Sequence, residues 1–130
     1  MPPSFEGTSG VAAPDAVADA YLALVEQIAA ATADPRAAAR LSAPDTVMRL
    51  SVAGRPDLAC TLHFTQSPHV GAGDDDADGE LMLEEPALAT FWEVSPAAQV
   101  FRGQAHYSGR VRGAFAVLPI VRAHARGRFD

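Results

Sequence analysis

Oxygen-rich side chains carry the most suggestive chemistry in this 130-residue sequence. Asp74, Asp76 and Asp78 alternate, Gly79 follows, and Glu85 closes the set after five more residues. That is the spacing of a calcium loop, in which carboxylates and a terminal bidentate glutamate converge on one hard cation. The flanks do not match it. A helix must enter such a loop, and the stretch Gln66 to Gly73 contains Pro68, Gly71 and Gly73. Leu81-Met82-Leu83 reads as strand, and Pro86 directly follows the glutamate. Asp74, Asp76, Asp78 and Glu85 are thus weak metal candidates in a solvated acidic loop, and no metal is expected.

The other reactive types are dispersed. His63, His69, His106 and His124 show no paired spacing for a metal. Cys60 is the only cysteine and falls on the apolar side of an alternating stretch, where a buried, inert thiol is expected. A lone cysteine fits a reducing cytoplasm, the expected location. His106 and Tyr107 are neighbours on a strand, so they point to opposite faces. With Tyr107 inward, its hydroxyl could donate to a ligand head group while His106 faces out; the other register reverses this. These two are the weak catalytic candidates, and Asp45 and Asp57 are further titratable groups that a pocket enzyme could use. There is no Gly-x-Ser-x-Gly elbow, phosphate loop or dinucleotide fingerprint, so no cofactor is expected.

Composition narrows the classes further. Alanine supplies 27 residues of the 48% that are hydrophobic. No strictly apolar run, Phe115 to Leu118 included, approaches the ~20 residues of a membrane span, so none is expected. No basic n-region or apolar h-region follows Met1, so no secretory signal is expected. The net charge of −6 argues against nucleic-acid binding. All ten cations are arginines, and six of them lie from Arg102 onward. They read as a solvated helix face, with brief contact to an anionic membrane surface or acidic partner as the alternative.

Any site must be positioned by elements whose periods are readable. Residues 1–14 are rich in Pro, Gly and Ser and read as a disordered tail. Val17, Tyr21, Leu24, Val25 and Ile28 form one helical stripe starting near Asp15. Asp34-Pro35 caps a second short helix through Leu41. Period two then appears in Met48-Leu50-Val52 and Leu58-Cys60-Leu62-Phe64, joined by a turn over Gly54 to Asp57. A short strand near Val70 and another over Glu80 to Glu84 follow. Helical spacing returns over Pro86 to Val94 and Pro96 to Phe101. A strand carries Ala105 and Tyr107, and an apolar helix runs from Gly113 to about Ala125, kinked or interrupted by Pro119. The result is an α+β domain in the order α-α-β-β-(β)-β-α-α-β-α. It has a mostly antiparallel sheet of about five strands, with helices packed on one face. One domain is expected over 15–126, with a C-terminal tail at 127–130.

The stretch Phe91-Trp92 … Pro96-Ala97-Ala98-Gln99-Val100-Phe101-Arg102-Gly103-Gln104-Ala105-His106-Tyr107-Ser108-Gly109 resembles the sterol carrier protein type 2 family. An apolar pair, a Pro-started helix, an aromatic, two glycines around a five-residue strand and an apolar last helix occur in that order. The helix pair, hairpin and acidic loop upstream also fall in place, so the resemblance spans about 15–125. It implies a domain that carries a lipid, fatty acyl or sterol-like molecule in a tunnel between sheet and helices, without catalysis. The pocket lining expected from the apolar helices and the last strand is Phe91, Trp92, Val100, Phe101, Tyr107, Phe115, Leu118 and Val121. Two other readings compete. One is a small pocket enzyme acting on an apolar metabolite, as isomerase, cyclase or lyase. The other is an interaction module that docks through its C-terminal helix, which would leave Phe115, Leu118 and Val121 on an open surface. Neither the oligomeric state nor the ligand's identity follows from the residues.

Overall fold

A computed structural model describes residues 15–93, 96–110 and 112–127. The expected N-terminal tail 1–14 and the end of the C-terminal tail, 128–130, lie outside the described residues.

Helix α1 (Ala16–Ala33) starts where the Asp15 carboxylate accepts the amide of Ala18 at 3.0 Å. This satisfies one of the amide groups left over at a helix start. By length and composition α1 is apolar enough to cross a bilayer. Its large side chains Tyr21, Leu24 and Ile28 are nevertheless buried in the core. Asp34 caps α2 (Pro35–Leu41) in the same way, accepting from the Arg36 amide at 2.9 Å.

Strands β1 (Thr46–Val52) and β2 (Arg55–Phe64) form the hairpin. Its turn is tighter than the expected Gly54 to Asp57. Val52 already pairs with Arg55, and Gly54 alone takes the left-handed backbone (φ +76). The register slips beyond the Ser51–Ala59 pair, so Pro56, with no N–H to give, sits in the irregular stretch. Strand β3 (His69–Ala72) pairs on the far side of β2. Strand β4 (Gly79–Leu83) pairs parallel to β1, and β5 (Ala105–Gly109) antiparallel to β4. The sheet order is β3-β2-β1-β4-β5, with one parallel pair in a mostly antiparallel sheet.

The helix expected over 86–94 is shorter and broken. Helix α3 (Glu85–Ala89) ends before Thr90, whose backbone leaves the helical region (φ −115, ψ 17), and a 3₁₀ turn follows at Phe91–Glu93. The Thr90 hydroxyl donates to the Pro86 carbonyl, competing locally with the helix. Helix α4 (Pro96–Phe101) and helix α5 (Arg112–Ala125) complete the chain. Pro119 does not interrupt α5. Pro119 and Phe115, whose carbonyl loses its donor, are both exposed, so water can take that carbonyl.

The core lies between one sheet face and the helices. Leu50, Leu62, Phe64, Leu81 and Leu83 meet Leu24, Ile28, Leu41, Val117, Leu118 and Val121. Each such side chain contributes on the order of 1.5–3 kcal/mol by leaving water.

Candidate ligand site

Helix α4 ends in a reverse turn that aims β5. The Gly103 amide donates to the Val100 carbonyl and the Gln104 amide to the Gln99 carbonyl. Gly103 takes the left-handed backbone (φ +70) that such helix ends favour. Strand β5 then turns Ala105 and Tyr107 inward, while His106 stays exposed and lies 2.8 Å from the Glu84 carboxylate. The Tyr107 ring sits 4.8 Å from that of Phe115 on α5, tilted by 31°. Its hydroxyl is buried and has no hydrogen-bond partner, and burial pushes its pKa up to about 12.

A second buried polar atom near this corner is also unsatisfied. Gln99 on α4 is fully buried and donates its amide to the Phe91 carbonyl at 3.0 Å, leaving Oε1 without a partner. Orphan polar atoms in native interiors are few and each calls for an explanation. The same elements also expose apolar side chains: Phe101 is 92% exposed, and Val100 and Phe115 are about two-fifths exposed. Gln99 was missed by sequence reasoning because a lone glutamine in a six-residue helix carries no periodic signal.

The other expected lining residues lie elsewhere. Leu118 and Val121 belong to the core under α5. Phe91 is buried, packed edge-to-face on Trp92 at 4.6 Å. Both border a groove of about 300 Å³ with Leu88, Ala20 and Ala23 of α1. Trp92 donates its ring N–H to Gln27, and its carbonyl accepts from Arg122 Nε at 2.6 Å.

The polar candidates on the opposite sheet face form a strap. The segment from Gly73 to Asp78 carries the chain from β3, at one edge, past β2 and β1 to β4. Arg49 on β1 donates to the Gly73 and Asp75 carbonyls, both at 2.9 Å. The Asp75 carboxylate lies 3.1 Å from His63 Nε2 and 3.1 Å from the Thr61 hydroxyl, partners that hold its pKa below the usual carboxylate range. The Thr61 hydroxyl also lies 3.0 Å from the same His63 Nε2, and His69 stacks on the ring at 4.3 Å. A Ser-His-Asp relay uses the two ring nitrogens separately, so this cluster pins a loop and is not such a relay.

Of the candidate metal ligands, Asp78 accepts the Val47 amide at 3.0 Å, Asp74 and Asp76 are exposed, and Glu85 opens α3. Among the described residues no three His, Cys, Asp or Glu side chains gather around one point. Asp57 pairs with Arg55 at 2.9 Å, which lowers its pKa. Asp45 is exposed with a left-handed backbone (φ 50). His124 pairs with Asp34 at 3.1 Å. Cys60 is buried, which pushes its thiol pKa up.

A scan of protein-family models finds no match to this sequence, and a search of curated proteins also finds none. Solved structures do match. Sterol Carrier Protein 2 from Yarrowia lipolytica, in its apo form, superimposes with a TM-score of 0.59 at 18% identity, covering 78% of this chain and 88% of that one. The sterol carrier protein domain 2 of Helicoverpa armigera gives 0.60 at 14% identity, covering 92% and 98%. Palmitated SCP2L2 from Aedes aegypti gives 0.56 at 14% identity, covering 79% and 92%. With its five-stranded mixed sheet, helical layer and closing apolar helix, the chain has the fold of sterol carrier protein 2 domains.

Proposed function

We propose that this chain binds and carries an apolar small molecule of lipid, fatty acyl or sterol-like type, held where α4, β5 and α5 meet, without reacting it. One observation carries the reading. A buried Tyr107 hydroxyl without a partner lies on an inward strand face, on elements that leave Val100, Phe101 and Phe115 exposed. An apolar guest would cover the exposed side chains, and a polar atom at its head would accept from Tyr107. The fold likeness supports this, as does the palmitated state of one neighbour.

Tyr107 acts in this reading as a neutral donor. A hydroxyl whose pKa is pushed up to about 12 is poorly matched to proton abstraction near neutral pH. That weighs against the pocket-enzyme reading. The partner-docking reading required Phe115, Leu118 and Val121 on an open surface; Phe115 is partly exposed, but Leu118 and Val121 are buried. The remaining parts of the proposal are a cytoplasmic location and brief contact with a membrane surface for loading and unloading.

The test is organic extraction of the purified protein followed by mass spectrometry, with titration of a fluorescent acyl probe alongside. A stoichiometric lipid or a displaceable probe is expected. An empty protein that ignores the probe contradicts the reading.

A further inference from the structure

A separate cleft of about 420 Å³ lies where the start of α5 meets the chain entering β1. Its walls include Pro44, Gly113 and Ala116, and its polar groups include Asp45, Arg110 and Arg112. Small residues create it. A Cβ on Gly113 would fall 2.5 Å from Thr46 Cγ2 and 3.3 Å from Pro44 Cβ, so only glycine lets α5 approach this closely. Ala116, nearly one turn further on, leaves the space beside that contact open.

Its two arginines are open, as Arg36 and Arg102 also are among the described residues. Arg49, Arg55 and Arg122 are all held by oxygen acceptors. Arg110 and Arg112 are exposed, and among the described residues neither guanidinium has a side-chain partner. Among the described residues Asp45 is the one carboxylate in the lining, so these residues give the rim a single net positive charge. Asp78, behind Thr46, is occupied by the Val47 amide and the Thr46 hydroxyl. A monoanion fits this balance, because a second negative charge would face both carboxylates. Planar guanidinium groups match a planar carboxylate and also stack on rings.

We propose that this cleft binds a compact apolar monocarboxylate, an aryl carboxylate being the simplest. Its body lies against Pro44, Gly113 and Ala116, and its carboxylate meets Arg110 and Arg112. The site is distinct from the corner proposed to hold a lipid and does not depend on it.

The test compares naphthoate, its methyl ester and naphthyl phosphate by calorimetric titration and amide NMR shifts. Naphthoate is expected to bind about tenfold tighter than the ester, the scale of one charge-assisted contact. Added salt weakens the acid and not the ester. The double variant Arg110→Gln/Arg112→Gln abolishes the difference, and Ala116→Leu fills the cleft and removes binding of both. Equal affinity of acid and ester, naphthoate binding untouched by the double variant, or tighter binding of the phosphate would each overturn the proposal. Both arginines are exposed and, among the described residues, have no side-chain partner, so their replacement leaves the fold intact. The acyl-probe titration on the same double variant separates the two sites: it is unchanged if the lipid corner is elsewhere, whatever naphthoate does.

Discussion

The two faces of this sheet are built on opposite terms. On the strap face, Arg49, Thr61, His63, Asp75 and Asp78 all find partners within 3.1 Å. At the α4–β5–α5 corner, Tyr107 and Gln99 each leave a buried polar atom unsatisfied, and Phe101 stands almost fully exposed. The strap is also where the sequence looks most chemical, with its run of aspartates and two histidines. A saturated hydrogen-bond network rigidifies and has nothing left to offer a ligand. The corner looks bland in sequence, yet its donor and acceptor are open and its apolar surface is uncovered. On the proposed reading, unmet bonding capacity marks the ligand site better than a density of reactive residue types.

The largest expected effect falls on the seam joining the two regions. Gly109 has φ +74, and a Cβ there would sit 2.7 Å from the Asp78 carbonyl and 2.9 Å from Gly79 Cα. Gly109→Val should cost about 3 kcal/mol, combining backbone strain with a clash against main chain. Chemical denaturation reads this directly. A variant as stable as the parent would show that β5 can shift without loosening the strap.

Arg49→Ala should be milder, about 2 kcal/mol, since two charged hydrogen bonds to strap carbonyls disappear. Acyl-probe affinity should not change. Loss of probe binding in a folded Arg49→Ala protein would erase the distinction between the faces.

Phe101→Ser should do the reverse. With the ring 92% exposed, stability should move by no more than about 0.5 kcal/mol. Probe affinity should fall about tenfold, the scale of one buried aromatic group. Unaltered affinity would remove Phe101 from the site.

Acid gives the smallest effect. Asp15 is lowered from 3.8 to about 2 by hydrogen bonding from Arg55 and the Ala18 amide, and Asp75 is lowered by His63 and Thr61. Lowered carboxylates stabilise the fold above their unfolded pKa, and that contribution is lost as pH falls through the folded one. Tm should therefore decline between about pH 4 and pH 2, and less steeply in Asp75→Asn. An identical slope in both proteins would show that the strap contributes nothing to acid stability.

Much of the architecture could be read before the structure, because local rules decide it. Asp15 and Asp34-Pro35 announce their helices, and Leu58, Cys60, Leu62 and Phe64 recur at every second position. What could not be read depends on distant partners. The break at Thr90, the tight Ala53-Gly54 turn and the parallel placement of β4 beside β1 leave no period in the sequence. For the site, strand alternation placed Tyr107 and His106 on opposite faces, but which faced inward was set by pairing with β4. Apolar spacing on α5 could not separate Phe115, at the surface, from Leu118 and Val121, in the core. Nor could residue type foretell that Asp75, outside the calcium-loop pattern, would be the carboxylate engaged by His63.

Amide NMR spectra recorded while a fluorescent acyl probe or a fatty acid is titrated in compare the two faces in one experiment. Saturable shifts should concentrate at Val100 to Gly103, Ala105 to Tyr107 and Phe115 to Leu118, with Gly71 to Asp78 unmoved. Shifts that centre on the strap, or no saturable shifts anywhere, would contradict a carrier whose ligand rests on Tyr107.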